Sequence, residues 1–160
     1  WFSKDETFDG RCRGYEAEHH AAARRELAQW ETEPESALAL ILLLDQIPRN
    51  IFRNSAHAFA TDPLAAQVAA RAIERGFDAA TDSALRVFFY LPFEHAEDLA
   101  LQQRCLVLTE ALGNSEFTKY AKLHLDIIAR FGRFPHRNTM LGRKSTPEEL
   151  AFLAEGGFAG

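Results

Sequence analysis

Asp45 and Arg49 stand four residues apart, the spacing of an i,i+4 ion pair if a helix persists that far. Asn50 and Arg53 follow closely. A second group gathers Glu94, His95, Glu97 and Asp98, and a third gathers Arg133, His136, Arg137, Asn138 and Arg143. Arginine is permanently charged and grips a carboxylate or phosphate with two donors, so these residues suit an anion pocket. His95 and His136 suit proton transfer where a neighbouring carboxylate sets the tautomer. Arginines beside them would stabilise developing negative charge, as in a hydrolase. The structural alternative is an ion-pair network tying helix ends together, which perturbs charged groups as thoroughly as an active site does.

The direction of the acids makes the cluster unusual. Leu38, Ile41 and Leu42 step along a helix face that Asp45 completes. Leu101, Cys105, Leu108 and Leu112 form a stripe that runs backwards into Glu97, Asp98 and Glu94, if one helix covers Glu94 to Leu112. His124 takes a core position among Phe117, Tyr120, Ala121, Ile127, Ile128 and Phe131, where a bond to a backbone carbonyl is its simplest role. Inward carboxylates must be paired, coordinated or protonated. Five arginines against four acids give a locally positive spot on a chain of net charge -5. The expected ligand set is therefore Asp45, Arg49, Asn50, Arg53, Glu94, His95, Asp98, Arg133, His136, Arg137, Asn138 and Arg143, with His95 and His136 as catalytic candidates.

Other chemistries lack their signals. No second histidine follows His95 at zinc-site spacing, and no paired Glu-x-x-His motif occurs, so no metal or other cofactor is expected. Ser145 lacks a nucleophile-elbow context, and neither Cys12 nor Cys105 has a histidine nearby in sequence. The two cysteines form no redox or metal spacing and fit a reducing compartment.

The elements that position these residues read as helices. Strand alternation and Asn-Gly hairpins are missing. A first helix is expected from about Thr7 to the Ala21–Ala23 run. Thr32 to Asp45, with Pro34 in its first turn, is apolar all round from Ala37 to Leu44, and Pro48 is expected to end it. Asp62 is read as the N-cap of a helix closed at Gly76, and Ser83 to Tyr90 as a short helix stopped before Pro92. Glu94 to Leu112 and Ser115 to Phe131 end at Gly113 and Gly132, and Thr146-Pro147-Glu148-Glu149 opens a last helix. This makes about seven helices in antiparallel pairs, within one all-α domain over residues 1–160. Ile47-Pro48-Arg49-Asn50 and Phe134-Pro135-His136-Arg137-Asn138 echo one another, each expected just past a long helix.

Composition bounds the rest. Hydrophobic residues at 47% and charged residues at 26% mark an ordered globular chain. The acidic balance argues against a sequence-tolerant nucleic-acid binder. Residues 37–44 form an apolar run far short of the roughly 20 residues that span a bilayer, so a soluble, cytoplasmic protein is expected, with no membrane partner. Neither substrate nor oligomeric state is legible. Because the chain opens at Trp1, residues before it are expected to be missing, with whatever packs on Trp1 and Phe2.

Four stretches carry a family resemblance: Leu-Leu-Asp-Gln-Ile-Pro-Arg-Asn-Ile-Phe-Arg at 43–53, Leu-Pro-Phe-Glu-His-Ala-Glu-Asp at 91–98, Arg-Phe-Gly-Arg-Phe-Pro-His-Arg-Asn at 130–138, and Leu-Gly-Arg-Lys-Ser-Thr-Pro-Glu-Glu at 141–149. With them the chain resembles bacterial domain-of-unknown-function family 924 over nearly its whole length. The resemblance implies tetratricopeptide-like helix pairs and a further helix before Trp1. It implies no activity. Three functions stay open: binding of a small anionic ligand or peptide, a hydrolase-like enzyme, and a helical interaction module.

Overall fold

The structure, a computed structural model, describes residues 5–158 and is all-α, with no strand among them. Trp1 and Phe2 lie outside the described residues. The chain divides into two compact units, residues 1–96 and 97–160. Among the described residues there are nine α-helices and four short 3-10 turns, against the seven helices expected.

The first unit is built around α3, Pro34–Ile51, whose buried positions run from Ala37 to Asn50. Before it come α1, Glu6–Arg13, and α2, Glu16–Ala23, where one helix was expected. The break falls at Gly14 and Tyr15, whose amides turn back to Arg11 and Cys12, at a residue that weakens a helix interior. Asp5 caps α1, accepting from the amides of Thr7 and Phe8 at 2.9 and 3.1 Å. After α3 come α4, Asp62–Glu74, the one-turn α5, Phe77–Ala80, and α6, Leu91–Glu94. The expected helix over 83–90 is a 3-10 turn, Arg86–Phe89, and Pro92 stands in the first turn of α6 instead of stopping a helix. Helices α1, α2 and α4 all pack on α3.

Pro48 does not end α3. The helix runs one turn further, and Phe52 N still donates to Pro48 O at 2.9 Å. A proline inside a helix has no N–H for the carbonyl four residues back, here Leu44 O. That oxygen accepts the Thr61 hydroxyl at 2.5 Å. Its neighbours are served as well: Leu43 O by His19 Nδ1 at 2.8 Å, Asp45 O by Arg49 Nη1 at 2.7 Å, and Gln46 O by Asn50 Nδ2 at 2.8 Å. Side chains thus satisfy the carbonyls that the proline disturbs, and the helix survives it. Thr61 is the N-cap residue of α4, yet its hydroxyl caps nothing there because Leu44 holds it. Asp62, expected as that cap, is the first residue of α4 instead.

The second unit contains α7, Leu99–Leu112, α8, Ser115–Phe131, and α9, Pro147–Ala154. Helices α7 and α8 pack together across Gly113 and Asn114. Gly113 and Gly132 take φ of 70 and 69 and close the two helices as expected. Helix α7 starts at Leu99, not Glu94, because the Asp98 carboxylate accepts from Leu101 N at 3.0 Å and caps it. Ile127, Ile128 and Phe134 form a core joined by Phe131, Phe152 and Phe158. Thr146 opens α9 as expected, and with Glu149 it forms a capping box.

Candidate functional site

The residues expected to form one cluster are distributed over both units. Asp45, Arg49, Asn50, Arg53, Glu94 and His95 belong to the first, and Asp98, Arg133, His136, Arg137, Asn138 and Arg143 to the second.

In the first unit the site centres on Asp45, which α3 buries completely. His95, just past α6, places Nδ1 2.8 and 3.0 Å from its two carboxylate oxygens. Gln46 Nε2 donates to Oδ2 at 2.7 Å, and Arg49 Nη1 lies 3.3 Å from Oδ1. Burial by itself would raise the Asp45 carboxyl, but Arg49 and His95 outweigh it and hold the group well below the carboxylate range. Burial, then the Arg49 charge, push His95 below its ordinary value against the pull of Asp45. The imidazole is therefore neutral at neutral pH, its Nδ1–H donated to Asp45. Its side chain is 16% exposed, and Nε2 takes part in no hydrogen bond among the described residues. Burial, then Asp45, raise the adjacent Glu94 to about 8. One group holds its proton at pH 7 and its neighbour can accept one.

Both arginines expected at this site, Arg49 and Arg53, grip acids. Arg49 is bidentate on Asp62 at 2.8 and 2.9 Å. Arg53 is bidentate on Asp9 at 2.7 and 2.8 Å, and its Nη2 donates to Asn50 Oδ1 at 2.9 Å.

The second unit repeats the device. Arg133 closes on Glu149 at 2.6 and 2.8 Å, and Arg143 on Glu97 at 2.5 and 2.9 Å. Asn138 accepts from Arg143 Nε at 2.9 Å and donates to Glu149 at 3.2 Å. Arg137 is buried, its guanidinium 4.5 Å from the centre of the Phe134 ring. His136 packs among rings, tilted 5.6 Å from Phe134 and edge-on 5.3 Å from Phe158. Asp98 is exposed and serves α7 as its cap. His124 is buried with Nδ1 on Tyr120 O at 2.8 Å, the core role expected of it. Among the described residues no three His, Cys, Asp or Glu side chains are arranged to hold a metal ion.

The family model for a bacterial protein of unknown function, DUF924, matches residues 1–157. The chain belongs to this family. Among solved structures, this DUF924 chain is similar to the protein of unknown function ATU0120 from Agrobacterium tumefaciens. The two are 55% identical with a TM-score of 0.93, over 98% of this chain and 89% of that one. No curated protein matches it.

Several partners in this DUF924 site escaped the sequence reading. Asp62 was taken for a cap, although it is the acid that Arg49 holds. Asp9 carried one faint signal, its position three residues before the buried Cys12 on the same helix face. Glu149 was read only as part of the segment that opens the last helix, yet it is 2% exposed and receives Arg133, Asn138 and Thr146 N. The Pro-Arg-Asn echo is one of composition alone. Pro48 lies inside α3, whereas Pro135 opens a 3-10 turn.

Proposed function

We propose that the Asp45–His95 pair is the centre of a hydrolase-like enzyme, with His95 as general base. The observation that carries this reading is the 2.8 Å contact from His95 Nδ1 to a carboxylate wholly shielded from solvent. It fixes the tautomer and leaves Nε2 with the lone pair that a water molecule would meet. Protonation of His95 during reaction would be supported by Asp45, as in other base–orienter pairs. Glu94, protonated at neutral pH, supplies the acid, so the two groups have their proton affinities driven in opposite directions. The anionic ligand suggested by the sequence has less support here, since the Arg49 fork already holds Asp62.

A panel of chromogenic esters, phosphoesters and amides, assayed with the wild type and with His95→Gln, tests the reading. Turnover by the wild type should drop at least about a hundredfold in the variant, the range ascribed to a positioned base. Turnover untouched by the substitution removes His95 from the chemistry, and inert protein across the whole panel removes the hydrolase.

A second reading, a tetratricopeptide-like interaction module, is favoured by apolar side chains left open on one helix pair. Val107 on α7 is 65% exposed, and Tyr120 and Leu123 on α8 are 44% and 37% exposed. Peptide-array capture by the wild type and by Val107→Asp/Leu123→Asp decides it. Equal capture excludes that face.

A further inference from the structure

Helix α2 is closed by a residue its backbone does not favour. Glu26 N donates to Ala21 O at 3.0 Å and Arg25 N to Ala22 O at 2.9 Å, the crossed pair of a Schellman closure. This puts Arg25 in the left-handed region, at φ 62. Glycine ordinarily stands here, as Gly113 and Gly132 do after α7 and α8. A side chain retained against the backbone's preference points to a role for that side chain. The Arg25 guanidinium makes no hydrogen bond or ion pair among the described residues. Its neighbour Arg24 is paired with Glu26, and Arg71 is bidentate on Glu31 at 2.7 and 2.8 Å.

A second observation meets the first. Arg25 lines a cavity of about 50 Å³ whose apolar wall includes Leu27, Leu40, Leu44 and Val68. About 150 Å³ of apolar cavity accepts a benzene ring, so this space suits the tip of a short aliphatic chain. The charge around it favours an anion. Glu31, the one acid in the lining, is already neutralised by Arg71, and Arg75 reaches the Glu31 carbonyl oxygen. Arg25 and Arg75 thus remain as uncompensated positive charge.

We propose that this cavity binds a short-chain aliphatic carboxylate, its tail against Leu40, Leu44 and Val68 and its carboxylate on Arg25. The site is separate from the His95 centre, and neither reading depends on the other.

The test is a backbone-amide NMR titration with butyrate, with butylamine as the cationic control. Butyrate should shift amides at 22–28, 40–44 and 64–68 with a Kd on the order of millimolar, as a few buried carbons and one ion pair allow. Butylamine should not. Arg25→Gly gives the backbone the residue it favours, so the variant should melt no lower than the wild type while losing about tenfold or more in butyrate affinity. Ala28→Leu, which fills the mouth and keeps Arg25, should also weaken binding. Butyrate affinity unchanged in Arg25→Gly, equal binding of the amine, or no shifts with the wild type would each overturn the proposal.

Discussion

Glu94→Gln should stabilise the protein, and by an amount that grows with pH. Glu94 is 6% exposed, and burial followed by the charge of Asp45 raises its carboxyl from 4.5 to about 8. Below pH 4.5 the group is protonated in folded and unfolded chains alike, and its folding penalty is absent. Between 4.5 and about 8 the unfolded chain releases the proton while the folded chain keeps it, so stability falls as pH rises. Above that range the loss is complete. At about 1.4 kcal/mol for each tenfold change in proton affinity, it reaches up to about 5 kcal/mol. Glutamine has the same shape and no charge to suppress. Urea unfolding of both proteins should give similar stabilities near pH 4.5 and a variant ahead by several kcal/mol near pH 8.5. His95 is common to both proteins, so its own pH dependence cancels in the difference. A gap that does not change with pH would refute the argument. So would a wild type that gains on the variant in alkali, since Glu94 would then be ionised and paired.

Two further substitutions test the scaffold around the site. Thr61→Val keeps the side-chain shape but removes the donor to Leu44 O, and should cost about 1–3 kcal/mol by denaturant titration, the range for a buried acceptor left unsatisfied. Glu149→Gln loses the charge that Arg133 clasps and should cost about 2–3 kcal/mol at neutral pH. Arg133 and the amide of Thr146 hold Glu149 down at about 2, so the stability it confers is present above pH 4.5 and drains away as pH falls towards 2. Thermal melts across that interval should show the wild type losing this advantage and Glu149→Gln having none to lose.

Helix existence was legible wherever caps and apolar period agreed. Ser115 to Phe131 and the opening of the last helix at Thr146 needed no correction, because Asn114, Gly132 and Thr146 encode their ends locally. Two of the errors arose where a distant side chain decided a local question. Pro48 ends a helix by its own chemistry, but Thr61, thirteen residues on, accommodates the carbonyl it strands. Asp62 has the type and position of a cap, yet Arg49 claims it. The interior placement of Asp45 was readable from its helix face, and so was its pairing with Arg49. Its histidine partner was not, because His95 is fifty residues away and joins it through the fold alone. The inward run of Glu94, Glu97 and Asp98 failed for a related reason. Asp98 starts α7 as a cap, so no single helix carries all three.

The proline in the middle of α3 gives the Asp45 centre an unusual dependence on remote parts of its unit. The carbonyls beside that carboxylate are secured by His19 from α2 and by Thr61 at the threshold of α4. A peptide copied from α3 would lack both anchors and should fray around Pro48, however apolar its sequence. Damage to either flanking segment would therefore be felt at His95 without touching it, as a change in how firmly the imidazole is aimed.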